Sequence, residues 1–418
     1  MAKGRGNAPS SAIVVGAGVV GLSTAWFLQE RGVEVTVVER NGVAAGASWG
    51  NAGWLSPGLS IPLPEPSVLR YGIRSLLSPN APLYVPFTPD IGLWSFLARF
   101  ATYCNMRSWQ RGMRGYIPVN TDCLDAYDIL TENGVESPTH EAPIMAAFRK
   151  REQSRDLRHE LDLINSSGQH VEFHELSADD ARKRSAQIAP NVETVISLEG
   201  QRHVDPGEFV RSLADSVRKR GATIEEDFDV VRMRPDQGQA LVETIDGRSV
   251  RADTLVLASG AWLNELGRKV GIRRPVRAGR GYSFTVPTDA PVNTPVYLPA
   301  ERVACTPYQG KLRVAGTMEF RKADAPLDRK RIDAIVRSAK PLLSGVSWEE
   351  RTDEWVGSRP VSTDGLPLIG ATRAPGVYVA GGHGMWGLTL GPITGKLLAE
   401  QITTGKQPAA LRPFDPSR

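Results

Sequence analysis

The sequence has few of the residues from which metal centres and disulfide frameworks are built. Among its 418 residues are 3 cysteines and 6 histidines. Cys104, Cys123 and Cys305 lie far apart and form no CxxC pair, which argues against a zinc site, an iron–sulfur centre or a disulfide framework. The histidines have no metal-ligand spacing either, so we expect no metal. Scattered cysteines of this kind fit a reducing cytoplasm, which is the expected location.

The sequence also lacks long apolar runs and a strong charge of one sign. No segment reaches the roughly 18 uninterrupted apolar residues that a membrane-spanning helix needs. The first residues are basic, but no separate apolar segment precedes the first predicted strand, so we expect no signal peptide. The 50 basic and 46 acidic residues are interspersed, which gives no basic patch for nucleic acid. A hydrophobic fraction of 41% over this length instead predicts a globular protein of two interleaved domains.

A glycine-rich turn near the N-terminus gives the strongest functional signal. The short apolar run from Ala12 to Val15 predicts a buried strand, and the pattern from Val19 to Arg31 predicts a helix. Gly16, Gly18 and Gly21 follow the strand with GxGxxG spacing. In this context the three glycines permit a tight turn, close approach to a pyrophosphate and close packing of helix on strand. The segment therefore predicts a dinucleotide-binding site.

An acidic residue follows the next predicted strand, which runs from Glu34 to Val38. Glu39 lies 18 positions after Gly21, near the spacing at which an acid binds ribose hydroxyls and disfavours a 2′-phosphate. Only this glycine motif is followed by a predicted helix and then by a strand that ends in an acid, so we expect a single dinucleotide. The small residues of the stretch GASWGNAG, residues 46–53, favour FAD over NAD. The predicted contacts in this region, besides the glycines and Glu39, are Arg40, Ser48, Asn51, Ala52 and Gly53.

Beyond these motifs, the sequence resembles the D-amino-acid oxidase (DAO) superfamily of flavoproteins, in particular its D-amino-acid dehydrogenase and glycine oxidase branch. The matching segments include VVGAGVVGLSTAWFLQERGVEVTVVER, GNAGWLSPG, VLASGAW, RGYSFTV, LRVAGTMEF, GSRPVSTDGLPLIGAT and GGHGMWGLTLGPITGKLLAE. The resemblance implies an α/β fold, with a discontinuous Rossmann-like FAD-binding domain and an α+β substrate domain whose sheet is mostly antiparallel. The expected FAD-binding domain comprises residues 1–60, 204–275 and 355–418, and the substrate-binding domain comprises residues 61–203 and 276–354.

The resemblance also implies roles for individual residues of the substrate site. Arg359 matches the arginine that clamps the substrate carboxylate, a role suited to a planar guanidinium. Tyr282 and Trp386 match positions beside the flavin and are expected to wall the substrate pocket, with plain core packing as the alternative. His383 is a candidate base, with a structural hydrogen bond as the alternative.

Further cofactor contacts are expected from the middle and the end of the chain. Residues 381–389 resemble the glycine-rich turn that lies against the isoalloxazine ring. The helix that follows, with Pro392 near its start, would direct its positive end towards N1 and the C2 carbonyl of the flavin. The residues implied as contacts here are Val230 or Val231, Ser259, Gly260, Gly382, Gly387, Leu388 and Thr389.

One departure from the family pattern concerns the attachment of the flavin. Some amine-oxidising relatives bind it covalently through a histidine in a motif like GTTWHAAG. The matching stretch of this sequence has Gly50 in place of that histidine. We therefore predict non-covalent FAD.

The implied reaction is oxidative deamination of D-amino acids to 2-oxo acids and ammonia, with hydride transfer from the α-carbon to flavin N5. The alternatives are oxidation of glycine, sarcosine or a hydroxyproline isomer, and a role as the flavin subunit of a multi-subunit dehydrogenase complex. The electron acceptor is open among oxygen, a quinone and a redox protein, with a dehydrogenase favoured. The stretch from Ile91 to Arg114 predicts an amphipathic core helix; its alternative is peripheral contact with the inner face of the membrane.

Overall fold

Two main sheets organise the protein, seen in a computed structural model that describes residues 8–68, 82–86, 88–236 and 238–418. The first sheet is parallel except for one edge strand. Its strands, in spatial order, are Thr223–Glu225, Glu34–Val38, Ser11–Val15, Thr254–Leu257, Val377–Gly381 and Leu368–Ala371. The central strands are short apolar runs because both faces of this sheet are covered by helices and other parts of the protein.

The second sheet is mostly antiparallel and larger. Its strands, in spatial order, are Thr352–Ser362, Val276–Val286, Lys311–Phe320, Val303–Tyr308, Val296–Leu298, Ile144–Phe148, Thr194–Leu198 and Phe173–Ser177, and Leu83–Tyr84 pairs with Lys311–Phe320. Two small sheets contain Arg232–Asp236, Gln239–Glu243 and Ser249–Ala252, and Trp54–Leu55, Arg202–His203 and His140–Glu141. This combination of sheets confirms the predicted α/β fold class.

Helices cover the sheets. The α-helices described are Val19–Glu30, Ile91–Tyr103, Met106–Thr121, Cys123–Glu132, Ser154–Ser166, Ala178–Arg184, Pro206–Lys219, Leu263–Gly267, Arg329–Ala339 and Gly387–Thr404. The first of these and the last, called here the C-terminal helix, pack closely because glycine removes the side chain between them. A Cβ at Gly395 would lie 2.5 Å from the carbonyl carbon of Ser23.

The parallel sheet contains strands from three separated parts of the chain. Its order reverses at Ser11–Val15, since Glu34–Val38 lies on one side and Thr254–Leu257 on the other. In open α/β sheets, ligands bind at such a switch point, beyond the carboxyl ends of the strands. The domain boundaries remain a prediction; the one between residues 354 and 355 falls inside the strand Thr352–Ser362.

The predicted long helix from Ile91 is divided in the structure. It ends at Tyr103, and a second helix runs from Met106 to Thr121. The break occurs because Asn105 is extended and its side chain accepts a hydrogen bond from the Ser108 backbone, which caps a new helix. Apolar periodicity continues across this cap, so the periodic pattern alone conceals the break.

The C-terminal helix begins earlier than predicted. It starts at Gly387, which places Pro392 inside it and not near its first residue. Proline has no N–H to bond the carbonyl four residues before it, here that of Leu388. The buried Tyr127 hydroxyl donates to this carbonyl at 2.6 Å. The tyrosine thus satisfies the carbonyl that Pro392 leaves unpaired.

Tyr127→Phe should lower the free energy of unfolding by about 1–3 kcal/mol, because the buried Leu388 carbonyl loses its donor. Urea unfolding of both proteins measures the difference. Tyr378→Phe is the matched control, since the Tyr378 hydroxyl has no hydrogen bond within the described part of the chain. Equal stability of the two variants would contradict the role given to Tyr127.

Candidate active site

Two cavities meet at Arg359. A narrow cavity of about 170 Å³ runs along the carboxyl end of the parallel sheet, and a wide cavity of about 440 Å³ lies against the mostly antiparallel sheet. Ala47, Asn51, Arg359 and Met385 line both of them. A ligand in one cavity can therefore contact a ligand in the other.

The glycine turn forms one wall of the narrow cavity and has no room for side chains. Gly16 has φ +114°, and a Cβ there would lie 2.5 Å from the carbonyl oxygen of Ala258. A Cβ at Gly21 would lie 2.0 Å from the carbonyl oxygen of Gly16. These distances explain the predicted spacing, because the first helix must begin directly against the end of its strand.

Polar groups of the narrow cavity gather at the start of the first helix. The Ser48 hydroxyl accepts a hydrogen bond from the Val19 backbone at 3.2 Å. Glu39 accepts one from the Ala17 backbone at 2.8 Å and one from the Asn41 backbone at 3.0 Å. The predicted ribose-binding acid thus lies on the cavity and is held by the glycine turn.

The residues present fit a dinucleotide. The first turns of two helices reach the narrow cavity, at Gly18 and at Gly387, and such turns carry free N–H groups and partial positive charge. The Ser259 hydroxyl is buried and has no partner among the described residues, so it is available to a ligand. Predicted cofactor contacts that line the narrow cavity are Gly16, Gly18, Glu39, Arg40, Ser48, Asn51, Val230, Ser259, Gly260, Gly387 and Leu388.

Other predicted cofactor contacts lie elsewhere. Ala52 and Thr389 line the wide cavity, where the Thr389 hydroxyl donates to the Trp54 carbonyl at 3.2 Å. Val231 is 42% exposed, so of the predicted pair only Val230 lines the narrow cavity. Gly21, Gly53 and Gly382 are not among the lining residues of either cavity.

Tyr282 lies away from both cavities, in the core packing that the sequence left open as the alternative to a pocket wall. Its side chain is fully buried in an apolar cluster with Phe284 and Ile335. Its hydroxyl donates to Glu319 at 2.5 Å. Successive side chains of a strand point to opposite faces of the sheet, and the face that carries Tyr282 is the one buried in the core. The motif does not reveal which face that is.

Arg359 is held where the two cavities join. Its Nη1 donates to the Thr317 carbonyl at 3.0 Å, and Gly281 leaves room for the guanidinium, since a Cβ there would lie 2.1 Å from Nη2. Burial lowers the pKa of Arg359 to about 10, so it stays charged at neutral pH. Within the described residues it forms no ion pair. Its remaining donors are thus available to a carboxylate in the wide cavity.

Two aromatic candidates from the C-terminal turn have different surroundings. Trp386 lines the wide cavity and its Nε1 donates to the Ile61 carbonyl at 2.7 Å. His383 lines the narrow cavity, and its Nε2 lies 3.0 Å from the Thr394 hydroxyl. Burial lowers the pKa of His383 to about 4. An imidazole that stays neutral at physiological pH and shares a hydrogen bond with a threonine agrees better with the structural role than with the role of a catalytic base.

Sequence reasoning missed most of the wide cavity. Its further lining residues include Trp54, Glu65, Glu160, Tyr297, Arg302, Met318 and Trp355. Of these, Glu65, Glu160, Tyr297 and Arg302 come from distant parts of the chain and lie in no quoted motif. Detectable in principle were Ala47, Trp54, Met318, Trp355 and Met385, since each lies within or beside a stretch that was singled out.

Aromatic residues of the stretch from Ile91 to Arg114 contribute to this cavity as well. Trp94 and Phe100 line the wide cavity, whereas Phe96 and Trp109 are buried in the core. In the described ranges no helix is both long and apolar enough to cross a membrane. Nor does any group of histidine, cysteine and acidic side chains in those ranges have an arrangement able to hold a metal ion.

Comparisons with known proteins agree with this geometry. A family profile described as "DAO: FAD dependent oxidoreductase" matches residues 11–401. A protein of Vibrio vulnificus named D-amino acid dehydrogenase is 30% identical over 96% of this chain and 99% of its own length. One of the same name from Agrobacterium fabrum is 30% identical over 94% of this chain and 96% of its own length. The crystal structure of glycine oxidase from Geobacillus kaustophilus has a similar fold, with a TM-score of 0.74, 23% identity and 99% coverage of both chains.

Proposed function

The chain belongs to the DAO family of FAD-dependent oxidoreductases, and we propose from this premise that it deaminates D-amino acids oxidatively to 2-oxo acids and ammonia. Relatives named D-amino acid dehydrogenase that match nearly its whole length support this substrate class. The observation that carries the proposal is the position of Arg359. It is a charged guanidinium without an ion-pair partner in the described residues, at the junction of the glycine-lined cavity and the wide cavity.

The protein's own contribution is binding, orientation and exclusion of water. Arg359 binds the substrate carboxylate and is oriented by the Thr317 carbonyl. Trp386, fixed by its hydrogen bond to Ile61, bounds the wide cavity. Bound FAD supplies the acceptor for the hydride that leaves the α-carbon. A substrate amine that arrives neutral needs no side-chain base, which agrees with the low pKa of His383.

Anaerobic reduction of the bound flavin tests the proposal. The absorbance of the oxidised flavin is followed after mixing with D-amino acids, L-amino acids, glycine, sarcosine and prolines. We expect D-amino acids to bleach it and their L-enantiomers to leave it oxidised. Bleaching by sarcosine or glycine alone would move the assignment to the alternative substrates, and no bleaching at all would refute an amino-acid substrate.

We further propose a dehydrogenase, with a quinone or redox protein as electron acceptor. The names of the curated relatives support this choice. Readmitting air after anaerobic reduction should then reoxidise the flavin slowly, and an artificial dye should reoxidise it fast. The proposed location is cytoplasmic. The alternative is peripheral contact with the inner face of the membrane through residues 91–114. Sedimentation of the protein with anionic liposomes distinguishes the two.

The flavin should leave the protein on denaturation. At Gly50 a Cβ would lie 2.1 Å from the ring of Trp355, so this position has no room for a linking side chain. After acid precipitation we expect all flavin in the supernatant, measured by its absorbance. Flavin that stays in the pellet after washing in denaturant would contradict non-covalent binding.

A further inference from the structure

Among the described residues, four charged side chains line the wide cavity. They are Glu65, Glu160, Arg302 and Arg359. Glu65 raises the pKa of Glu160 and Arg302 lowers it, so these three charged side chains lie near one another and form one group. Arg359 lines the same cavity, and burial lowers its pKa.

Glu160 is the member of this group without a partner. It projects from the helix Ser154–Ser166, is half-buried and lines the cavity. Its carboxylate has no hydrogen bond or close ion pair within the described residues. Partial burial and the negative charge of Glu65 raise the pKa of Glu160 to about 7, against the opposing effect of Arg302. A carboxylate in these surroundings is stabilised when a cation or donor reaches it.

Apolar side chains also line this cavity, and Leu97, Phe100, Met318 and Phe320 are among them. A ligand that fits must therefore have a carboxylate at one end, an aliphatic stem and a positive charge at the other. Lysine and arginine side chains have such a stem and such an end.

We propose that Glu65 and Glu160 bind the cationic end of the substrate side chain, so that the preferred substrates are D-amino acids with an ammonium or guanidinium side chain. The inference rests on the proposed function, in which Arg359 binds the α-carboxylate. Once Arg359 is paired with the α-carboxylate, two carboxylates and the guanidinium of Arg302 are the other charged groups among the described lining residues. A cationic side chain of the substrate balances the second carboxylate.

Binding of the cation should depend on pH. The ionised form of Glu160 dominates above its pKa of about 7, so affinity for a basic substrate rises as pH increases through that value. Cys104 and Tyr297 also face the cavity, but burial raises both pKa values, so they stay neutral in this window. A neutral substrate has the same α-amine and lacks this extra dependence, which makes it an internal control.

The first experiment compares D-lysine with D-norleucine, which shares the aliphatic chain but lacks the terminal ammonium. Steady-state rates of the holoenzyme are measured with a dye acceptor at about pH 6 and pH 8. We expect kcat/KM to favour D-lysine by about tenfold or more at the higher pH. Glu160→Gln should remove most of that preference, because it lowers kcat/KM for D-lysine much more than it changes kcat/KM for D-norleucine. Asp162→Asn, the same charge change at an exposed position of the same helix, should alter neither substrate.

A binding measurement separates this inference from the proposed function. Calorimetry of the holoprotein compares 6-aminohexanoate with hexanoate, neither of which has an α-amine to oxidise. Tighter binding of 6-aminohexanoate, lost in Glu160→Gln, supports the inference even if no D-amino acid reduces the flavin. Equal binding overturns it, as does a wild-type enzyme that prefers D-norleucine or a Glu160→Gln variant that affects both substrates alike. If Glu160→Gln binds no flavin, Glu65→Gln replaces it in both experiments.

Discussion

Arg359→Ala should lower kcat/KM for a D-amino acid by about 30- to 5,000-fold, mainly through a higher KM. Removing one partner of an enclosed, hydrogen-bonded charge pair costs about 2–5 kcal/mol, and Arg359 has no other charged partner in the described residues to lose. The side chain lies where the cavities meet, so the loss falls on substrate binding and orientation. Steady-state kinetics with a dye acceptor measures the effect.

Two comparisons distinguish this outcome from damage to the fold. The variant should keep its flavin, since the glycine turn is untouched, and it should no longer distinguish a D-amino acid from the corresponding amine without a carboxylate. Arg412→Ala, the same charge change at an exposed site near the C-terminus, should behave as wild type. An unchanged KM would remove Arg359 from the substrate site.

Gly21→Ala should yield a protein that is largely free of flavin. Its Cβ would lie 2.0 Å from the Gly16 carbonyl oxygen, and both groups belong to the backbone, so neither can rotate away. The first helix must shift from the end of its strand, at a cost of about 1–3 kcal/mol or more. When the FAD-bound protein is destabilised by this free energy, its affinity for FAD falls by about 5- to 150-fold. The ratio of flavin to protein absorbance after purification, followed by titration with FAD, measures it.

Gly42→Ala provides the control for this glycine. It lies a short distance along the same segment, and a Cβ there would have no heavy atom within 4 Å. We expect it to bind FAD as the wild type does. If Gly21→Ala binds FAD equally well, then the close packing at Gly21 does not set the geometry of the cofactor site.

The parallel sheet and its glycine turn could be predicted because their determinants are local. Apolar runs, the spacing of Gly16, Gly18 and Gly21, and Glu39 after the next strand all lie within one short segment. The structure brings most of the cofactor contacts predicted from this segment to one narrow cavity. Their roles as FAD contacts stay a prediction until the cofactor is seen bound.

The sequence did not decide outcomes that depend on which face of an element is covered. Tyr282 lies within a motif, yet its strand turns the side chain into the core, where Glu319 accepts its hydroxyl. The C-terminal helix extends upstream of Pro392 because Tyr127, from a distant helix, satisfies the carbonyl that proline leaves unpaired. Neither partner is visible from the local pattern.

The sequence by itself thus determined the fold class, the position of the dinucleotide motif and the candidate carboxylate-binding arginine, since each has a short-range signature. Only the tertiary structure decided what surrounds that arginine. Glu65 and Glu160 are far apart in sequence and lie in unrelated segments, and folding places both on the wall of one cavity. Burial there changes the pKa of Glu160, and this effect arises from the low polarity of the surroundings, which no sequence pattern encodes.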